Sequence, residues 1–179
     1  MRGLARLFSA LMALFLLAAA WIMLVPPRPI PVPPLTARLA GPVDHIVIRK
    51  SDRRMTAFRE GQPLKTYRIA LGFAPGADKR RQGDGRTPEG RFTIDRVNPG
   101  SAFHLSLGLD YPRPQDRARA AAAGVDPGGD IFIHGQPNAL PEGFKLKGDW
   151  TEGCVALSNT EMLEVWAVTP IGTKVEIRP

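Results

Sequence analysis

Between Leu7 and Val25 the chain is apolar without interruption except at Ser9, and the proline-rich stretch Pro26 to Pro34 (PPRPIPVPP) follows at once. Neither stretch can join a globular core. The first has no polar face to present to water, and the second is held extended by the fixed φ of proline. An apolar run of about 20 residues is long enough to cross a bilayer as a helix, and Arg2 and Arg6 ahead of it set an N-in orientation with the remainder exported. The sequence therefore predicts a signal-anchor or transmembrane segment over 1–25, a Pro-rich linker over 26–42 and one folded domain over 43–179. Cleavage at Ala18-Ala19-Ala20 is the less favoured alternative, because Trp21 to Val25 continue the apolar run.

From Val43 onward the periodicity is that of short strands. Asp44 to Arg49, Met55 to Phe58, Lys65 to Leu71, Arg91 to Val97, Phe103 to Leu107, Asp130 to Ile133 and Thr173 to Ile177 are alternating or β-branched runs. Glu60-Gly61-Gln62-Pro63 reads as a hairpin turn, and Lys79 to Gly90 as a polar loop. Two helices interrupt the pattern. Pro114 to Ala123 starts with proline and ends at Gly124. Ser158 to Val168 opens on the capping-box spacing Ser158-x-x-Glu161, carries Met162, Val165 and Trp166 on one face, and stops before Pro170. The expectation is a mainly β domain with a few short helices.

The chemistry-bearing residues are few. Cys154 is the only cysteine, which in an exported domain leaves an inert thiol, an intermolecular bridge or a working nucleophile. A cysteine attacks as the thiolate, so it needs a base. His134, at the end of the apolar run Ile131-Phe132-Ile133, is the best placed of the three histidines, ahead of His45 and His104. Gly153 permits tight curvature, and the amides of Gly153, Cys154 and Val155 are candidate oxyanion donors. Three histidines without HxH or HExxH spacing exclude a recognisable zinc site. No GxxxxGK[ST] loop or GxSxG elbow is present. A net charge of +7 and a pI near 10.2 suggest nucleic acid only for a cytosolic protein; on an exported one the basic half before the Cys/His region suits an anionic polymer or lipid head groups.

Four ordered motifs resemble the L,D-transpeptidase catalytic domain (YkuD type) of bacterial cell-wall enzymes. They are Tyr67 to Gly72, Gly85 to Phe92, Ile133-His134-Gly135 and Gly153-Cys154-Val155, and the resemblance spans Val43 to Pro179. It implies a β-sandwich or barrel, a cysteine nucleophile at Cys154, a base at His134 and a main-chain carbonyl at Gly135 that orients the imidazole. Asp149, Trp150 and Thr151 are expected to shape the pocket, Trp150 more by packing than as a platform, and Arg86 is a candidate partner for a substrate carboxylate. The implied partners are peptidoglycan stem peptides, reached from a periplasmic, membrane-tethered monomer with no nucleic acid, metal or organic cofactor. The implied reaction is attack of Cys154 on the diaminopimelate carbonyl of a tetrapeptide stem, loss of D-alanine, and transfer of the thioester to an amine; carbapenems are the implied inhibitors. The family pattern has arginine two residues after the cysteine, where this chain has Ala156, so a hydrolase (amidase or carboxypeptidase) on the same fold stays open, as does a non-catalytic wall-binding module.

Overall fold

The computed structural model describes Met12, Leu39 and residues 41–179, and everything below lies in the compact unit Val32–Pro179. The expected membrane segment and most of the linker lie outside the described residues. Among the described residues no helix is long and apolar enough to cross a membrane.

The domain is one curled eight-stranded sheet with two helices. The strands are β1 His45–Arg49, β2 Arg54–Arg59, β3 Gln62–Arg68, β4 Gly90–Asn98, β5 Ser106–Leu109, β6 Phe132–His134, β7 Val155–Ala156 and β8 Lys174–Arg178; the helices are α1 Pro114–Ala122 and α2 Asn159–Val168. Their spatial order is β3-β2-β1-β8-β4-β5-β6-β7. The β1–β8 and β6–β7 pairs are parallel and the rest antiparallel. Alternation sets the register. Ile46 and Ile48 of β1, Met55 and Ala57 of β2, and Val175 and Ile177 of β8 all point to the core, and each of these side chains other than Ala57 contributes about 1.5–3 kcal/mol by leaving water.

The curl has two causes. Strand β4 pairs with β8 through Gly90–Thr93 and with β5 from Ile94 onward, and the register shift between Ile94 and Arg96 bends it from one half of the sheet to the other. The chain leaving β3 then crosses to the far edge. Ala70 and Ala156 exchange backbone bonds of 2.9 and 2.8 Å, and Thr151 N–H donates to Leu71 O at 3.1 Å. The two edges of the sheet thus meet at the segment carrying Cys154, which removes a free strand edge.

Several expectations shift by a few residues. The hairpin turn is tighter than Glu60-Gly61-Gln62-Pro63: only Glu60 and Gly61 turn, at φ 49° and 75°, while Gln62 and Pro63 already belong to β3. The run from Phe103 predicts a strand three residues early; His104 sits at φ 66° in a loop, and β5 starts at Ser106. Strand β7 is absent from the sequence reading, because two residues following a glycine give no periodic signal.

The Lys79–Gly90 loop is tied down by charge. Asp84 accepts Lys79 Nζ at 3.0 Å and the amides of Arg80, Arg81 and Arg86 at 2.7, 3.1 and 3.1 Å. Burial alone would raise its carboxyl, but these donors hold it down at about 2. Since the folded value lies below the ordinary 3.8, the stabilisation is full above that pH and is lost as pH falls toward 2. Asp84→Asn is expected to lower unfolding free energy by about 2 kcal/mol at pH 7, a difference that urea titrations repeated at acid pH should see shrink.

Candidate active site

Thr151 builds the turn that presents the cysteine. Its Oγ1 donates to Cys154 O at 2.7 Å and accepts Gly153 N–H at 3.1 Å. Phe73 N–H donates to Thr151 O at 2.9 Å. Just upstream, Asp149 accepts Leu71 N–H through Oδ1 at 2.9 Å, and Arg53 Nε and Nη2 through Oδ2 at 3.1 and 2.9 Å. Gly153 sits at φ 138°, and a Cβ there would lie 2.6 Å from Arg86 O. Only glycine fits.

His134 ends β6, paired with Ser106 on one side and Ala156 on the other. Its Nδ1 lies 2.7 Å from Gly135 O. A carbonyl can only accept, so Nδ1 carries the proton and Nε2 keeps the lone pair. Gly135 is itself fixed, donating to Phe103 O at 3.0 Å, and a Cβ on it would meet Asn159 Oδ1 at 2.6 Å. The imidazole is packed by Phe103 (centroids 4.7 Å apart) and by Trp150 (5.7 Å, edge-on). With 4% of the residue exposed, burial pulls its pKa below the ordinary 6.5, opposed in part by the Gly135 carbonyl. The ring is neutral at neutral pH.

Cys154 lines the same cleft as His134, a cavity of about 430 Å3 walled by Phe103, Phe132 and Trp150 and rimmed by Asp130 and Glu152. Its Sγ accepts Phe132 N–H at 3.4 Å and donates to Asp130 O at 3.3 Å. Both sulfur contacts are with the β6 side of the cleft, and the imidazole is not one of its hydrogen-bond partners. Burial pushes the thiol up to about 11; the Phe132 amide and Lys79 oppose this and Asp130 adds to it. The resting pair is therefore neutral thiol and neutral imidazole, not thiolate and imidazolium. Alkylation by iodoacetamide in the absence of substrate should accordingly be slower at pH 7 than for a free cysteine of pKa about 8.5, and should keep accelerating up to about pH 11. A rate already level at pH 7 would show that the ion pair exists before substrate arrives.

The remaining sequence candidates separate. Gly153 N–H is occupied by Thr151, and Val155 lies in the β6–β7 pairing, so Cys154 N–H is the amide left without a partner among the described residues. Arg86 directs its guanidinium to Asp78 O at 3.4 Å and is not among the residues lining the cleft; its backbone, not its side chain, meets the cysteine turn. Trp150 both lines the cleft and packs on the His134 imidazole. His45 stacks on Phe58 at 5.8 Å, away from the cleft residues. Sequence reasoning missed Phe103, Asp130 and the anchoring by Asp149, none of which carries a local signal. Among the described residues no group of three or more His, Cys, Asp or Glu could hold a metal ion.

YafK of Escherichia coli is 25% identical over 135 residues, 72% of this chain and 48% of that protein, so the chain spans about half the length of the curated relatives it matches. The helical cell shape determining protein Pgp2 of Campylobacter jejuni is similar in structure, with TM-score 0.58 and 27% identity over 79% of this chain and 50% of that one. The L,D-transpeptidase of Xylanimonas cellulosilytica shares the fold at TM-score 0.52 and 18% identity, covering 83% and 64% of the two chains. The family model of the YkuD L,D-transpeptidase catalytic domain matches residues 43–177, and the chain belongs to that family.

Proposed function

We propose that the domain carries out thioester-mediated acyl transfer on peptidoglycan stem peptides. The observation that carries this reading is a buried, neutral imidazole with its tautomer fixed by Gly135 O, lining one cleft with the chain's only thiol. When a stem carbonyl enters, the Cys154 side chain turns from Asp130 O toward Nε2 and gives up its proton as the S–C bond forms. Cys154 N–H stabilises the oxyanion. The C–N bond to D-alanine breaks and its nitrogen takes the proton from Nε2. An acceptor amine then attacks the thioester, losing its proton to His134, and the thiolate leaves and is reprotonated. Glu152 at the rim has no cationic partner among the described residues, whereas Asp130 pairs with Arg96 at 3.3 Å. Glu152 favours an ammonium-bearing acceptor, which supports transfer to an amine over hydrolysis. We place the reaction on the periplasmic side, tethered through 1–25, and in cell-wall remodelling, in keeping with the likeness to a cell shape determining protein.

Mass spectrometry after incubation with disaccharide-tetrapeptides tests the reading. Cross-linked dimers with loss of D-alanine are expected. Tripeptides alone would make water the acceptor and the protein a hydrolase. Unchanged substrate, together with wall association that survives Cys154→Ala, would leave the binding module.

A further inference from the structure

A second opening in the domain is larger than the cleft that holds Cys154. This groove of about 650 Å3 includes Asp149, from which the chain runs on through Trp150 and Thr151 into the cleft; it is lined by five cations (Arg53, Arg54, Arg68, Lys145 and Lys147) against two carboxylates (Asp52 and Asp149). Asp149 is already taken by Arg53 and by Leu71 N–H, and Asp52 stands 3.9 Å from Arg49. Lys145 is held by Arg68 O and Glu161. That leaves Arg54, Arg68 and Lys147, all exposed, with no acidic partner among the described residues.

Arg54 and Arg68 are directly opposite each other on β2 and β3. Their core-side neighbours Met55 and Tyr67 are buried, which sends both guanidinium groups to the outer face. Like charges in facing positions destabilise a sheet, so the fold bears a cost here that no internal counter-charge offsets. A fork of two guanidinium groups matches a carboxylate or phosphate in geometry. Between the charges the groove is apolar, with Ile69 and Ala70 at its base and Leu146, 37% exposed, on its wall. Apolar surface between cations suits carboxylates spaced along a peptide of small residues better than a phosphate chain, which has nothing to bury there.

We infer that this groove binds the carboxylate-bearing part of a peptide, and that such a peptide follows the segment Asp149–Cys154 from the groove to the cysteine. Naming that peptide as a stem peptide rests on the function proposed above; the groove itself does not. The cleft supplies one unpaired acid at its rim, Glu152, and the groove supplies cations, so a ligand carrying both charges is oriented by the two together.

Calorimetric titration of the full chain in detergent, with Cys154→Ala so that no turnover occurs, tests the inference. The probes are the tetrapeptide stem, the same peptide with its carboxyl groups amidated, and polyphosphate. The free-acid peptide is expected to bind, and Arg54→Gln with Arg68→Gln to weaken it about tenfold or more, with added salt doing likewise. The same double variant should melt at a higher temperature, because it removes the repulsion; a merely structural pair would move both readouts together. Equal affinity in the double variant, equal affinity for the amidated peptide, or binding of polyphosphate in place of the peptide would each overturn it. Loss of thioester chemistry in the wild-type protein would end the proposed function while leaving these isotherms as they are.

Discussion

His134→Gln is expected to slow D-alanine release about a thousandfold or more at pH 7, while leaving the cleft standing. The size follows from the thiol. With a pKa of about 11, only about one molecule in ten thousand is thiolate at pH 7 without a base, and general-base assistance is commonly worth 10²–10⁴-fold, roughly the same range. Glutamine is chosen because its amide can donate to Gly135 O and fill part of the space between Phe103 and Trp150, whereas alanine would leave a hole. The pH dependence separates the base role from a packing role. In the wild-type protein the acylation rate should be level from neutrality down past pH 6.5 and fall only below it, since His134 titrates below its ordinary value. In the variant the residual rate should climb with each pH unit toward the thiol's own pKa. A variant that is slow at every pH by the same factor would point to a disturbed cleft instead.

The second large effect is expected at Gly153. Alanine there meets two penalties at once, a φ of 138° that side chains avoid and a backbone oxygen, Arg86 O, at 2.6 Å from the new Cβ. Neither the Thr87-bearing loop nor the turn can yield easily. Thr87 Oγ1 accepts Gly72 N–H at 3.0 Å, and Thr151 holds Cys154 O at 2.7 Å. We expect a loss of about 2–4 kcal/mol in unfolding free energy, accompanied by loss of acylation as the cysteine turn is pushed off its anchors. Gly143 is the control. Its φ of 82° is also positive, but a Cβ there meets nothing within 4 Å, so alanine should cost about 1 kcal/mol and leave activity intact. Equal losses at the two sites would mean that the contact with Arg86 is not what requires glycine at 153.

These residues also show what could be read from the chain before its fold was known. Cys154 was legible because it is the only cysteine of the chain, and His134 because an apolar run ends on it beside a glycine. Helix α2 was legible because Ser158 and Glu161 cap each other locally, with Ser158 N–H donating to Glu161 Oε2 at 2.9 Å. The polar loop at Lys79–Gly90 was recognised as a loop, but not as one fixed by Asp84, because four donors converging on one carboxylate is a matter of backbone shape. Arg86 looked like a ligand for carboxylates since sequence shows a side chain and hides that its carbonyl is the part in contact. Strand β7, the closure of the sheet through Ala70 and Ala156, and the clamp of Phe103 and Trp150 on the imidazole all join residues far apart in the chain. The cation groove was visible only as a basic half; the facing of Arg54 and Arg68 needed the register of β2 on β3.

The central claim is that Cys154 takes an acyl group with His134 as its base. Intact-protein mass spectrometry after rapid mixing with a tetrapeptide stem tests it most directly. The protein should gain the mass of the stem peptide less D-alanine, the added mass should map to Cys154, and it should be absent from Cys154→Ala and strongly delayed in His134→Gln. Stem peptide consumed with no adduct on Cys154, or an adduct that forms equally fast without the imidazole, would contradict the account.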